Sequence, residues 1–420
     1  MSAAKPPIVP FSSYQKLVVA ILAFLQFTVI LDFMIMSPLG AMMMPALQIQ
    51  PAQFGLAVSV YAFSAGTAGL LAAGFADKYD RKKLLLLFYC GFVLGTFLCG
   101  IANTYHFLLF ARMVTGLFGG VVGSTCMAIT TDLFPLEMRG RVMGLIQTAF
   151  AGSQILGLPI GLFLSNHLGW HAPFLMIVLM SSFVGIIIWK KLKPIDAHLG
   201  LHPDRNPFHH LQTTVTNPKY VFAFCVTALL SIGGFMLMPF GSAFTVHNLG
   251  IGLEKLPMIY LITGLCSIMV GPLVGRLSDR IGKYKTFLFG SCMSITMVLI
   301  YTNLGVTPLP YVIVINILMF VGIFSRMIPS QALMSAIPEP ASRGAFMSVS
   351  SSLQQISGGI ASVVAGLIIV ARPDGYLEHF NVVGYVMLGT VSITMIMMYF
   401  IHRGIQENVG KAAGATSGTS

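Results

Sequence analysis

"GFADKYDRKKLLLL" (Gly74–Leu87) sets two acids and four bases between long apolar runs, and the chain repeats the pattern as "GRLSDRIGKYKTFL" (Gly275–Leu288). A second pair lies further on: "PLEMRGRVMG" (Pro135–Gly144) and "PEPASRGAFM" (Pro338–Met347). Asp77 recurs as Asp279 and Arg139 as Arg343, at offsets of 202 and 204 positions. Two independent markers at nearly one offset indicate a duplicated chain. Two matching halves around a central site is a common plan for alternating-access carriers.

The surroundings of these charged loops are almost entirely apolar. Of 420 residues, 56% are hydrophobic and 9% charged, and the mean hydropathy is +0.84. Soluble domains carry roughly 25% charged residues, so the composition is that of an integral membrane protein. Apolar windows run over 17–43, 53–75, 84–101, 107–131, 142–164 and 173–189, then over 220–246, 256–274, 287–304, 311–335, 346–370 and 382–401. Each is near the roughly 20 residues a spanning helix needs. Runs of helical length exclude an outer-membrane barrel, whose strands alternate over about 10 residues. The expected fold is an all-α membrane protein with twelve spanning helices in two pseudo-symmetric six-helix bundles.

The expected divisions are a first bundle over 1–192, a linker over 193–217, a second bundle over 218–402 and a tail over 403–420. The linker is placed by "KKLKPIDAHLGLHPDRNPFHHLQTTVTNP" (Lys190–Pro218), where hydropathy collapses. Its His202, His209 and His210 lack ordered ligand partners and read as a solvated loop rather than a metal site. Apart from Arg112 and Arg326 inside spans, every Lys and Arg except Lys255 and Arg372 falls on one side. The positive-inside rule then puts both termini in the cytoplasm, with a prokaryotic inner membrane the simplest location. The net charge of +11 is that basic belt, and no nucleic-acid partner is expected because no basic run forms a domain. Six cysteines lie in predicted spans without CxxC spacing, so neither a disulfide framework nor a metal site is indicated. The first apolar run is too long for a signal peptide and continues into a span.

The duplicated loop resembles the signature of the major facilitator superfamily, G-x-x-x-D-R/K-x-G-R-R/K. Gly74, Asp77 (one position early), Lys78, Arg81 and Lys82 carry the first copy, with Asp80 in place of the second glycine. Gly275, Asp279, Arg280, Gly282 and Lys283 carry the second, closer copy. "RMVTGLFGGVVG" (Arg112–Gly123) is similar to the superfamily's R-x-x-x-G element, in which glycines admit a close backbone neighbour. "GSQILGLPIGL" (Gly152–Leu162), followed by "LGWHAPF", is similar to the glycine–proline motif of proton-linked exporters. The G-x-P-x-G…GW form resembles the arabinose-efflux-like branch of the twelve-helix drug:proton antiporters.

That resemblance implies a gate at the cytoplasmic mouth and a hinge in the fifth span. The gate set is Gly74, Asp77, Lys78, Arg81, Asp132, Arg139, Asp279, Arg280, Glu339 and Arg343. Its basic residues are expected to bridge carboxylates such as Asp132, Glu137 or Glu339 across the interface between the halves. Topology alone also accounts for those bases. The hinge set is Gly152, Gly157, Pro159 and Gly161, where Gly and Pro let a helix bend against its neighbour; tight packing without a hinge is the competing reading.

Inside the spans the charged residues are Asp32, Arg112 and Arg326. Asp32, in "TVILDFMIMSP" (Thr28–Pro38), costs about 2.5–3.5 kcal/mol at membrane depth. It lies 15 residues beyond Leu17, or about 22 Å along a helix. Arg112 enters from the other side about 8 Å below the surface, so both fall in the outer half of a roughly 30 Å core. Burial favours a neutral carboxylate and a nearby guanidinium an ionised one. Asp32 and Arg112 are therefore the expected proton-coupling pair, against the alternative of a permanent structural pair. Arg326 lacks an acidic partner at its depth, leaving an anionic substrate group or a backbone carbonyl. Candidate substrate contacts are Gln26, Met36, Tyr61, Gln147, Gln154, Asn316, Arg326, Gln331 and Gln354, in a pocket that is otherwise apolar and rich in adaptable Met.

The expected function is proton-coupled efflux of amphipathic or drug-like small molecules by alternating access. The proton gradient is the energy source, and no cofactor or metal takes part. The partners are the small-molecule substrate, protons and the lipid bilayer, and the chain acts as a monomer. Uptake or facilitated passage of a sugar, organic acid or lysolipid is the alternative within the class, and a transporter-like sensor the alternative outside it. An enzyme is disfavoured, because no nucleophile–base set or metal cluster converges in the spans. A phosphate-binding P-loop is missing as well.

Overall fold

The computed structural model describes residues 10–75, 78–196, 199, 213–338 and 343–417. A backbone in hydrocarbon must satisfy its polar groups internally, so each apolar run winds into a helix. Among the described residues twelve helices are long and apolar enough to cross a membrane. They are α1 (Ser13–Leu47), α2 (Pro51–Phe75), α3 (Arg81–Gly100), α4 (Tyr105–Leu133), α5 (136–168) and α6 (Ala172–Lys191). The second six are α7 (Pro218–His247), α8 (Leu256–Ile281), α9 (Lys283–Thr302), α10 (Leu309–Ser335), α11 (Arg343–Ile368) and α12 (Phe380–Ser417). A short antiparallel hairpin, β1 (Val370–Ala371) with β2 (Leu377–Glu378), joins α11 to α12. Twelve crossings bring the chain's end back to the face where α1 begins.

Polar residues mark where the helices start. Ser12 and Gln15 form a reciprocal capping box on α1, satisfying two amides that have no helical partner. Asp80 caps α3 by accepting from the Lys82 amide at 2.8 Å, and it also accepts from the Ile195 amide at 3.0 Å. One carboxylate thus ties the stretch after α6 to the start of α3.

The duplication is visible in packing. α3 lies on α4 where a Cβ at Gly95 would sit 2.6 Å from Thr115. α9 lies on α10 in the same way, a Cβ at Gly290 falling 2.5 Å from the Ser325 backbone. Small residues let helices approach closely where lipid offers no hydrophobic drive for association.

The halves meet through α1–α7, α2–α11 and α5–α8. Hydrogen bonds join them on the face away from the termini. Ser37 and Met238 pair through hydroxyl and carbonyl, and the Ser242 hydroxyl donates to the Ser37 carbonyl at 2.9 Å. Ser59 donates to the Gly359 carbonyl at 2.7 Å, and Asn166 to the Leu253 carbonyl at 3.1 Å. In mid-membrane α5 still touches α8, where a Cβ at Gly264 would lie 2.9 Å from Ile155. Nearer the terminus face the same test at Gly144 on α5, and at Gly271 and Gly275 on α8, meets open space within 4 Å. α5 and α8 thus part toward the terminus face, while α2 stays against α11, a Cβ at Gly66 lying 2.8 Å from Ile356.

Candidate functional site

Asp32 and Arg112 meet. The Arg112 Nη1 donates to Asp32 Oδ2 at 2.9 Å, and both side chains have 0% exposure. Thr96 on α3 donates to the other carboxylate oxygen at 3.1 Å. Three helices therefore contribute to one buried carboxylate. A fourth, α2, slides Tyr61 under the guanidinium, whose carbon stands 4.5 Å from the ring centroid. Such cation–π contact is worth about 2 kcal/mol when desolvated. The glycines after Arg112 admit this residue: a Cβ at Gly116 would fall 2.4 Å from the Tyr61 carbonyl oxygen, and one at Gly119 3.0 Å from its hydroxyl. Among the described residues the Nε and Nη2 of Arg112 have no hydrogen-bond partner, so this guanidinium holds the carboxylate by one nitrogen only.

The residues beside Asp32 reach both the opposite half and α5. Phe33, next to Asp32, lies 5.4 Å from the Tyr61 ring and 5.9 Å from Phe235 on α7, in the opposite half. On its other side α1 bears against α5. A Cβ at Gly157 would lie 2.6 Å from Leu31, and one at Gly161 2.7 Å from Ile35; Ser153 donates to the Phe27 carbonyl at 3.0 Å. Gly152 also faces Phe27. The predicted hinge residues thus lie along the α1 stripe that flanks Asp32.

At that place α5 is not a regular helix: Ser153–Gly157 forms a π-helical turn between Leu136–Gly152 and Leu158–Leu168. Pro159 supplies the cause. Its ring has no N–H and crowds the carbonyl four residues back, at Ile155. Widening the turn accommodates this, and the Leu158 amide bonds back to the Ser153 carbonyl. Single π-turns are frequent at functional sites.

The remaining predicted contacts are scattered. Gln154 is buried in the π-turn, Met36 is wholly buried on α1, and Gln26 faces Gly123 of α4. Asn316 donates to the Val312 carbonyl of its own helix at 2.8 Å, while Gln331 and Gln354 are exposed on α10 and α11. The side chain of Gln147 lies outside the described residues. Arg326 donates to the Leu230 carbonyl on α7 at 3.0 Å and reaches toward Gly233 and Thr390. It braces α7 just before the break that follows Phe235, where a 3₁₀ turn over Met238–Phe240 interrupts the helix.

The described members of the expected gate set sit at the ends of the helices on the terminus face. Arg81 pairs with Asp132 at 3.0 Å, but both belong to the first half, joining the start of α3 to the end of α4. In this conformer the pair joins two neighbouring helices of one half, whereas the contacts across the halves are expected in the outward-facing state. Arg139 likewise stays local, donating to the Phe134 and Thr131 carbonyls at 2.9 and 2.7 Å, where α4 ends. Lys78, Asp279 and Arg280 are exposed, and the last two form no ion pair among the described residues. Asp77 and Glu339, and the side chains of Glu137 and Arg343, lie outside the described residues, as do the surroundings of Gly74.

Twelve spans in two related halves, with a buried ion pair inside the first half and a π-turned helix beside it, define a multi-pass membrane transporter. The chain belongs to the Major Facilitator Superfamily, whose family model matches residues 22–362 and again 223–418. It is 24% identical to the MFS-type transporter YceJ of Bacillus subtilis, over 90% of this chain and 93% of that protein. It is 29% identical to the multidrug resistance protein MdtG of Klebsiella pneumoniae over 61% of this chain and 62% of that one. A probable sugar efflux transporter of Mannheimia succiniciproducens is 23% identical over 60% of this chain and 62% of its own. The crystal structure of a bacterial homologue of the human lysosomal transporter Spinster, inward-facing and unoccupied, superposes with a TM-score of 0.75. It does so at 15% identity, over 95% of this chain and 99% of that one. The chain is a transporter and not an enzyme.

Proposed function

We propose that this transporter exports amphipathic or drug-like small molecules in exchange for protons, with Asp32 as the proton-carrying group. The observation that carries this reading is the fully buried Asp32–Arg112 pair, held by a single guanidinium nitrogen, with the adjacent Leu31 packed against Gly157 of the α5 π-turn. Ionisable groups at such depth are functional by default. An ionised Asp32 holds Arg112 and, through Phe33, the present contact with Phe235. Protonation releases the guanidinium and loosens α1 from that arrangement, so proton occupancy and conformation are linked. The apolar, Met-rich course of α1 and the likeness to a multidrug resistance protein support an amphipathic cargo. Likeness to a sugar efflux transporter supports export of a sugar as the second reading.

In this account the termini face the cytoplasm of a bacterial inner membrane, on the strength of the Lys and Arg bias, and the conformer described opens toward the cytoplasm. The proton gradient alone supplies energy, no cofactor enters the cycle, and one chain suffices. Flux measured in proteoliposomes under an imposed pH gradient tests the reading. Export that follows the gradient supports it; flux indifferent to the gradient, or no flux, overturns it.

A further inference from the structure

Outside the transport site, an apolar groove of about 480 Å³ runs between α1 and α6 on the outer flank of the first half. Leu17, Ile21 and Phe24 form one wall, and Met180, Phe183 and Ile187 the other. Leu17 lies four residues from the start of α1 and Ile187 four from the end of α6. The groove thus occupies the half of the membrane nearest the termini. From Leu17 to Phe24 it extends about 10 Å at 1.5 Å per residue.

Both walls run out into lysine. On α6 the stripe Met180, Phe183, Ile187 continues at helical spacing to Lys190 and Lys191. On α1 Lys16 lies one turn below Ala20, which also lines the groove. All three lysines are exposed. A fourth, Lys193, stands 5.2 Å over the ring of Tyr14, whose hydroxyl accepts from the Lys193 amide at 3.0 Å. Tyr14 precedes Leu17 by one turn on the same face, so this contact closes the groove's end. Lys82 is engaged separately, donating to the Trp189 carbonyl at 3.1 Å. Among the described residues two acids lie near this cluster, Asp196, which is exposed, and Asp80, which accepts from the Ile195 amide at 3.0 Å, and the four lysines outnumber them.

We infer that this groove is a binding site for an anionic phospholipid, with an acyl chain between α1 and α6 and the headgroup phosphate among Lys16, Lys190, Lys191 and Lys193. The charge complementarity selects the occupant: lysines attract anionic headgroups at a membrane surface, while the apolar walls match a chain. Zwitterionic lipid fits the walls and not the lysines. A free phosphate ester fits the lysines and not the walls. The inference rests on the membrane setting and not on proton coupling, so either can fail alone.

The test uses the full-length protein in detergent, delipidated and then titrated with phosphatidylglycerol, phosphatidylcholine or glycerol phosphate. Bound lipid is counted by native mass spectrometry and thermal melting is followed in parallel. Phosphatidylglycerol is expected to be retained and to raise the melting temperature more than phosphatidylcholine, with glycerol phosphate inert. Lys16→Gln, Lys190→Gln and Lys191→Gln are each expected to weaken phosphatidylglycerol retention about fivefold, the effect of one basic residue near an anionic surface. Ala20→Trp, which fills the groove and leaves the lysines, should reduce retention as well. Equal retention of the two phospholipids, lysine variants that bind like the parent, or protection by glycerol phosphate equal to that by lipid would each overturn the assignment.

Discussion

Arg112 donates to Asp32 through Nη1 at 2.9 Å, with both side chains sealed from solvent. A pair of this kind is held in place as much by the cost of breaking it as by its own attraction. Removing one member strands a buried charge, which costs about 3–5 kcal/mol, whereas replacing both can be close to neutral.

Arg112→Gln should therefore destabilise the purified protein more than the double variant Asp32→Asn with Arg112→Gln. Melting of the two singles and the double gives the coupling energy directly. A double variant less stable than either single would count against the pair.

The Arg81–Asp132 bridge lies within the first half, so Asp132→Asn should weaken that half without favouring either conformer. Asp132 retains 21% side-chain exposure, and pairs open to solvent are worth about 1 kcal/mol or less. Spin-label distances between α5 and α8 should be unchanged; a shifted distance distribution would mean the bridge acts as a gate after all.

A Cβ at Gly55 on α2 would fall 2.5 Å from the Ser362 carbonyl oxygen of α11. Backbone cannot yield as a flexible side chain does, so Gly55→Val should pry the stitched face apart. The expected result is faster thiol labelling of a cysteine placed at Ser59 from the face away from the termini. Labelling as slow as in the parent would show that the seal does not depend on this contact.

Pro159→Ala should allow the Ile155 carbonyl its ordinary helical partner and draw the π-turn toward regular helix. A helix-interior Pro costs about 3 kcal/mol relative to Ala, so the variant is expected to melt no lower than the parent while transporting more slowly. Equal turnover would assign the π-turn to packing alone.

The spans were legible because a 20-residue apolar run has few other solutions, and the duplication because charge clusters recur at one offset. Depth arithmetic brought Asp32 and Arg112 to one layer, since both are charged and stand out in an apolar run. Thr96 did not stand out, although it lies four residues from the end of α3 at the same depth. Hydroxyls are common in membrane helices and bond their own backbone, as Thr115 does with Ala111 at 2.7 Å. The break in α7 had a signal in Gly233, Gly234 and Pro239. Phe33 meeting Phe235 had none, because nothing local specifies which aromatic faces which across two halves. The pairing of Asp132 with Arg81 had no signal, because a loop motif gives charge and order, not distance.

The most direct test of the account is pH-gradient-driven transport by Asp32→Asn in proteoliposomes, measured beside substrate exchange at equal pH. The amide keeps the shape and the hydrogen bond from Thr96 but cannot carry a proton. Exchange is expected to continue while accumulation against a gradient, and the proton flux accompanying it, disappears. An Asp32→Asn protein that still concentrates substrate on a pH gradient would contradict it.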